Sequence, residues 1–199
     1  MNKIILPLCI SASLFLAGCN ATPKQPDPAS APLAGAKMGG AFTLTDQNGK
    51  SVSDSQFNGK YRIIYFGYSF CPDVCPVDVQ VLSQGLAEFE KIDPVRGAKV
   101  QPIFVTIDPV RDTPAVLKSF VANFHPRLIG LTGTQAQIGA VAKSYAVIFE
   151  YQKPNATGAY LVDHSRTAVL YGPEGQPLSL LPQDQTAKAV ADELARWVR

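Results

Sequence analysis

The chain has 199 residues and a formal net charge of +2, and neither this balance nor any basic run indicates a nucleic-acid partner. It contains four cysteines and two histidines, and no internal repeat divides it. After a Pro- and Ala-rich stretch, roughly 160 residues remain, which is enough for one domain that buries its own core without disulfides.

The N-terminal residues indicate an export signal. Lys3 precedes an apolar run over 4–16 that is too short for a settled membrane span, and Leu-Ala-Gly-Cys19 follows it. This ending resembles the lipobox of bacterial lipoproteins, in which the cysteine is lipidated and becomes the first mature residue. We therefore predict a signal peptide at 1–18, which removes Cys9, and a lipid on Cys19 that holds the chain on the periplasmic side of a membrane. An uncleaved anchor helix is the alternative, with the same topology.

The next stretch predicts a tether. Residues from Asn20 to about Gly40 are rich in Pro, Ala, Gly and small polar side chains and show no apolar periodicity. We therefore expect a lipidated tether over 19–40 and a single domain over 41–199.

Strands and helices alternate along this domain. We predict strands at 41–44, 61–68, 100–107, 128–131, 146–151 and 167–171, and helices at 77–92, 114–124, 135–145 and 183–198. The crossover after 61–68, a nearly continuous apolar run, requires a parallel strand pair. With a late hairpin and a closing helix, this order matches an α/β, thioredoxin-like fold with a central mixed sheet flanked by helices. The fold alone leaves reductase, peroxidase and chaperone functions open.

Two cysteines four residues apart carry the chemistry. Cys71-Pro-Asp-Val-Cys75 lies between a predicted strand and a predicted helix, and with Cys9 removed and Cys19 lipidated, these are the only thiols of the domain. A disulfide between them is possible in an oxidising periplasm. Because so short a loop would stabilise the fold little, we interpret the pair as functional. The nearby helix N-terminus favours thiolates and lowers the thiol pKa values.

A histidine far downstream completes a candidate copper site. Two soft sulfurs and the imidazole of His164 suit copper, although a lone histidine is more often a surface or structural residue. His125, at the end of a predicted helix, is interpreted as a surface residue or a charge at the helix C-terminus. Asp73 is explained by turn geometry and is left out of the ligand set. A structural zinc site would lack a fourth protein ligand.

Two aspartates flank the Pro-Val-Arg turn after the strand predicted at 100–107. We interpret Asp112 as a cap for the following helix. Asp108 is either a salt-bridge partner of Arg111 or a residue that supports the copper ligands without binding the metal. The structural role is slightly favoured for both aspartates.

Three segments together resemble the Sco (SenC) family of copper chaperones, and the resemblance covers nearly all of the chain after Gly40. They are Tyr68-Ser-Phe-Cys-Pro-Asp-Val-Cys-Pro76, Val105-Thr-Ile-Asp-Pro-Val-Arg-Asp-Thr-Pro114 and Val162-Asp-His-Ser165. Val110, where a charged residue is common in the family, is a minor departure. Each segment alone is a weak signal, whereas three in this order are specific.

The resemblance implies a role for each candidate residue. It implies that Cys71, Cys75 and His164 bind copper, as Cu(I), Cu(II) or both, and that the partner is subunit II of cytochrome c oxidase, whose dinuclear copper site the family matures. Another periplasmic copper chaperone or a thiol reductase is a further candidate partner. An oxidase partner favours the inner membrane, although Asn20 is not the Asp that often marks retention there.

The main alternative function is a thiol-disulfide reductase that keeps the copper-site cysteines of the oxidase reduced. It would need Cys71 and Cys75 but not His164, and the three residues between the cysteines, rather than the two of Cys-x-x-Cys, weaken the analogy. A thiol peroxidase would leave the second cysteine and the histidine unexplained. We therefore expect a copper-binding protein rather than an enzyme. Whether the function requires His164 distinguishes copper binding from the reductase alternative.

Overall fold

The computed structural model describes residues 25–199, and the predicted signal peptide at 1–18 and the lipid site Cys19 lie outside them. The strands are β1 (Thr43–Asp46), β2 (Ser51–Ser53), β3 (Tyr61–Gly67), β4 (Val100–Thr106), β5 (Ile129–Thr132), β6 (Phe149–Tyr151), β7 (Val162–His164), β8 (Ala168–Tyr171) and β9 (Pro177–Leu181). The helices are α1 (Val74–Ile92), α2 (Pro94–Gly97), α3 (Pro114–Val121), α4 (Gln135–Ser144) and α5 (Ala187–Trp197). Among the helices of this described part, none has the length and apolar character needed to cross a bilayer.

Seven strands form one mixed sheet in the order β2-β1-β5-β4-β3-β8-β9. Strand β4 runs parallel to both β3 and β5, while β8 pairs antiparallel with β3. Every residue of β3 and β4 is buried, as expected for central strands covered on both faces. The predicted thioredoxin-like fold, with a central mixed sheet flanked by helices, is confirmed.

Several element bounds differ from the predicted ones. Helix α1 begins at Val74 rather than 77, because a proline in the first turn of a helix needs no backbone N–H there. Helix α5 begins at Ala187 rather than 183, where the Thr186 hydroxyl caps it by accepting from Ala189 N. Strands β2 and β7 are not predicted from the sequence, and each has only three residues, too few for a visible alternation. Strand β9 is the second strand of the predicted late hairpin, for which the sequence gives no bounds.

Part of the predicted tether packs against the domain. The Gln25 side chain donates to Ala195 O at 2.8 Å, and Leu33 N donates to Leu178 O at 2.9 Å. Residues 25–40 are therefore folded onto the C-terminal elements rather than standing off from them. Composition does not reveal this, because the contacts are hydrogen bonds to backbone carbonyl groups of residues distant in sequence.

Helices α1 and α5 meet at a glycine, and its replacement should destabilise the fold. A Cβ at Gly85 would lie 2.5 Å from Val190 Cβ and 2.8 Å from Ala187 O. Gly85→Ala should therefore lower the free energy of unfolding by about 1–3 kcal/mol, because forced overpacking outweighs the better helix propensity. Gly139→Ala in α4, where nothing lies within 4 Å, is the matched control and should raise it by about 0.5–1 kcal/mol. Urea unfolding measures both, and an unchanged Gly85→Ala would contradict this close helix contact.

Candidate metal centre

The two thiols lie where β3 passes into α1. Cys71 is in the connecting loop, where its N–H donates to Tyr68 O at 3.2 Å, and Cys75 is in the first turn of the helix. A Cβ at Gly67, the last residue of β3, would lie 3.2 Å from Cys75 Sγ and 2.9 Å from the Tyr65 ring. The glycine therefore lets the helix start come close to the end of the strand.

His164 reaches the thiols from the separate β6–β7 hairpin. Its Nε2 lies 3.2 Å from Cys75 Sγ, and its Nδ1 lies 3.0 Å from Ser165 O. Because a carbonyl oxygen only accepts, Nδ1 carries the proton and the lone pair of Nε2 faces the sulfur. Burial lowers the pKa of His164, which keeps the imidazole in the neutral form that binds metals.

Cys71, the more exposed or outer of the two thiols, loses its proton more readily than an ordinary cysteine. Cys71 is half-buried, and its Sγ accepts from Cys75 N at 3.5 Å. Burial opposes the thiolate, but hydrogen bonds from the backbone N–H groups of Cys75, Asp73 and Val74 outweigh it and hold the pKa of Cys71 below its usual value. This is the effect that the helix N-terminus predicts.

The inner thiol behaves in the opposite way. Cys75 is fully buried, and burial raises the pKa of Cys75 to about 12. The expectation that the helix N-terminus lowers both thiol pKa values is therefore wrong for Cys75, because loss of hydration outweighs the helix. The reduced pair combines a thiolate-prone outer sulfur, Cys71, with a protonated inner one.

The structure brings Cys75 together with both other candidate ligands but does not close all three around one point. Within residues 25–199, no three His, Cys, Asp or Glu side chains are arranged to hold an ion. An ion bound by all three candidates would therefore require Cys71 and His164 to approach one point beside Cys75.

One buried carboxylate that lies beside the site is not identified from the sequence. Asp78, fully buried in α1, accepts from the Tyr65 hydroxyl at 2.8 Å and from Arg166 Nε and Nη2 at 3.1 and 2.7 Å. Its position, one helical turn after Cys75, and that of Arg166, two residues after His164, are the sequence signals that could have revealed it.

Asp112 fixes the loop that carries Cys71. Its buried carboxylate accepts from Ser69 N at 3.0 Å, from the Ser69 hydroxyl, and from Thr106 Oγ1 at 2.6 Å. The interpretation of Asp112 as a helix cap is wrong, because the cap of α3 is the Thr113 hydroxyl. The carboxylate instead ties the loop to the end of β4.

Asp108 belongs to a neighbouring aromatic and cationic cluster. Its carboxylate accepts from Arg111 Nε and, at 2.9 Å, from the Tyr160 hydroxyl, which confirms the salt-bridge interpretation. The Arg111 guanidinium lies 3.7 Å from the Tyr160 ring centre and 5.1 Å from that of Phe70. In the described part of the chain, no hydrogen bond of Asp108 reaches a candidate ligand, so its link to the site runs through Arg111 and the exposed Phe70 beside Cys71.

His125 is buried at the other end of α1. Its Nδ1 accepts from Arg127 N at 3.2 Å, and its Nε2 donates to Glu90 Oε2 at 3.2 Å. Its interpretation as a surface residue is wrong, because the carboxylate of Glu90 satisfies the buried ring.

The unequal thiols predict selective alkylation. At pH 7.5, iodoacetamide should modify Cys71 at least about tenfold faster than Cys75, because the thiolate reacts and only Cys71 is both accessible and thiolate-prone. Time-resolved peptide mass spectrometry of the reduced protein measures both rates. The same reaction in urea is the control, since unfolding should bring the rates together. Equal rates in the folded protein would contradict the assigned asymmetry.

Known proteins are similar to this chain in sequence and fold. The family model described as SCO1/SenC matches residues 30–199. The yeast (Saccharomyces cerevisiae) mitochondrial protein SCO2 is 41% identical over 165 residues, which cover 81% of this chain and 53% of the relative. SenC of Rhodobacter capsulatus is 40% identical over 161 residues, which cover 81% and 71%. The chain thus spans about half the length of the mitochondrial relatives it matches.

A solved structure gives the same comparison in three dimensions. The structure of Bradyrhizobium japonicum ScoI with copper bound superposes with a TM-score of 0.73 at 39% identity, and the match covers 81% of this chain and 99% of that one. That relative binds copper on the same fold.

Proposed function

Because this chain belongs to the SCO1/SenC family, we propose that it binds copper through Cys71, Cys75 and His164 and delivers it to the dinuclear copper site of cytochrome c oxidase subunit II. The observation that carries the proposal is the 3.2 Å approach of His164 Nε2, with its lone pair forward, to Cys75 Sγ. The Sco family is one of cytochrome c oxidase assembly proteins, which agrees with this role.

The ligand chemistry suits copper as a cargo in either oxidation state. Thiolates are soft ligands for Cu(I), and an imidazole together with thiolates also holds Cu(II). The Cys71 sulfur is already prepared to lose its proton, whereas the buried Cys75 thiol must release its proton to the solvent as the metal binds. Copper binding is therefore expected to weaken as the pH falls.

Three protein ligands leave copper open to a fourth. A thiolate or imidazole of the acceptor protein can bind before the first ligands leave, so that the metal moves by stepwise exchange and is never free in solution. Cys71 is the accessible ligand and is therefore the natural first one to be exchanged. The fully buried Cys75 and the half-buried His164 retain the metal until the acceptor has bound. The His164 ring meets the Tyr68 ring edge-on, with 6.2 Å between the two ring centres.

The reductase remains a second candidate because of the unequal thiols. A thiolate-prone outer cysteine beside a protonated inner one is the arrangement that thiol-disulfide exchange uses. Both cysteines are free thiols in the structure. A reversible Cys71–Cys75 disulfide would consume both sulfur ligands, so the oxidised protein should not bind copper.

The predicted lipid on Cys19 would hold the chain on the periplasmic side of the bacterial inner membrane, beside the oxidase. The bacterial relative SenC supports a role in bacteria. Metabolic labelling with a fatty acid, with Cys19→Ala as the control, tests the anchor.

One histidine substitution separates the two functions. The reduced full chain, purified in detergent, should bind one copper, and His164→Ala should weaken copper retention and impair oxidase maturation in copper-limited cells. The Cys71–Cys75 disulfide should still form, because it needs only the sulfurs. His125→Gln, at the buried histidine paired with Glu90, is the matched control and should keep both properties. Full oxidase activity with His164→Ala at normal protein levels would reject copper delivery and favour the reductase.

A further inference from the structure

His164 lies on an element that the main sheet does not hold. Strand β7 pairs with β6 in a two-stranded sheet, and within residues 25–199 neither strand belongs to the seven-stranded sheet. The two cysteines, in contrast, follow directly from the central strand β3. After His164 the chain enters the main sheet at Ala168, the first residue of β8. Between these points, side-chain contacts at the two ends of the hairpin help to set the distance between the histidine and the thiols.

The loop end of this hairpin, where β6 ends and β7 begins, is tied to the loops that follow β3 and β4 of the main sheet. Val162 N donates to the Tyr68 hydroxyl at 3.3 Å, and the Tyr151 hydroxyl donates to Ile107 O at 2.7 Å. These bonds fix the end of β6 and the start of β7, but neither reaches α1, the helix that carries Cys75.

On the exit side, where the chain continues from β7 towards β8, an ion pair joins the two ligand-bearing segments. Arg166, two residues after His164, donates through Nε and Nη2 to the two carboxylate oxygens of Asp78, which lies three residues after Cys75 in α1. A forked pair of this kind fixes orientation as well as distance. The Tyr65 hydroxyl donates to the same carboxylate at 2.8 Å, so Asp78 is itself held in one position.

We propose that the Asp78–Arg166 ion pair is a positioning clamp that holds His164 Nε2 against Cys75 Sγ and thereby sets the copper affinity through the histidine. The inference rests on the proposed copper function, which it deepens. Groups that orient a metal ligand without touching the metal commonly change affinity by about 10- to 100-fold when they are removed. Although the chain continues from the hairpin into β8 of the main sheet, this pair links the segment of His164 directly to α1, the helix that carries Cys75, so such an effect can act through it.

A clamp and a merely structural ion pair differ in how their loss combines with loss of the histidine. A clamp acts through the imidazole, so its removal should matter little once the imidazole is gone. A structural pair destabilises the fold, and its effect adds to that of the histidine substitution. A double-mutant cycle of Arg166→Met with His164→Ala separates these cases.

The experiment measures Cu(I) affinity by chelator competition on the reduced full chain in detergent, and Cu(II) coordination by EPR. Arg166→Met should weaken Cu(I) binding about 10- to 100-fold and diminish the nitrogen coupling of the Cu(II) signal. In the His164→Ala background, the same substitution should cost less than about twofold. Arg166→Lys, which keeps the charge but not the fork, should recover part of the affinity and decides the matter if Arg166→Met does not fold.

A second arginine–carboxylate pair on α1 provides the control. Arg127 pairs with Glu90 at the opposite end of the helix and is similarly part-exposed, so Arg127→Met should lower the melting temperature but leave copper affinity and the EPR signal unchanged. Wild-type affinity in both Arg166→Met and Arg166→Lys, or full additivity with His164→Ala, would overturn the clamp and leave the proposed function standing. A wild-type chain that binds no copper would overturn the proposed function and this inference with it.

Discussion

Replacing Cys75 with serine should leave a folded protein that no longer holds copper. Cys75 is the one thiol near both other candidate ligands, with its sulfur 3.2 Å from His164 Nε2 and its backbone N–H on Cys71 Sγ. A hydroxyl is a hard and poor ligand for Cu(I), and loss of a direct ligand should exceed the roughly 100-fold that loss of a supporting group can cost. Stoichiometric binding at micromolar protein should therefore disappear.

The measurement is copper content after anaerobic loading and desalting, followed by chelator competition. Serine is nearly isosteric with cysteine, and its hydroxyl can donate to His164 Nε2 as the thiol does, so the fold should survive; thermal unfolding of the apo proteins checks this. Cys71→Ser should also lose the metal, since the outer sulfur is the second soft ligand. If Cys75→Ser retained one copper with unchanged affinity, the metal site would have to lie elsewhere.

Asp112→Ala should lower the free energy of unfolding by about 3 kcal/mol at neutral pH, because it leaves buried hydrogen-bond donors without an acceptor. Ser69 N, the Ser69 hydroxyl and Thr106 Oγ1 all donate to this carboxylate. Urea unfolding measures the loss, and faster alkylation of Cys71 would report the loosened loop. Asp112→Asn, which keeps a carbonyl acceptor, is the matched control and should cost far less. Equal losses for the two variants would contradict the role of the hydrogen bonds.

The same carboxylate has a defined pH dependence. Burial raises the pKa of Asp112 above its ordinary value of 3.8. The folded state therefore takes up this proton at a higher pH than the unfolded state does, so this group makes the protein more stable as the pH falls from the raised pKa towards 3.8. Asp112→Asn should lack this contribution, which the difference between the two unfolding curves against pH would reveal.

The sequence predicts the parts of the site that are local or motif-borne. The turn of Cys71 and Cys75 between a buried strand and a helix follows from apolar patterning, and the structure has it there. The family resemblance adds His164, whose approach to Cys75 the structure contains. The unequal acidity of the two thiols could not be predicted, because it depends on how deeply the first helical turn is buried.

Long-range pairing is what the sequence leaves undetermined. Asp78 and Arg166 are 88 positions apart. From the sequence alone, each is indistinguishable from a charged side chain on the solvated surface. Asp108 and Asp112 lie in one short turn, yet they accept hydrogen bonds from different parts of the chain: Asp108 from Tyr160 and Asp112 from Ser69. No local rule distinguishes these two carboxylates, because their partners come from other parts of the chain.

Gln25, the first residue that the structure describes, lies far from the candidate metal site. Gln25 bonds to the end of α5, and Arg199, just beyond that helix, donates through its backbone N–H to the hydroxyl of Tyr61 at 3.1 Å. Tyr61 begins β3, and the thiols follow its far end, seven residues and roughly 20 Å away. A chain anchored upstream of Gln25 would thus stand with its thiols at the pole remote from the attachment point. A longer segment upstream of Gln25 would therefore extend the reach of the candidate site from the attachment point.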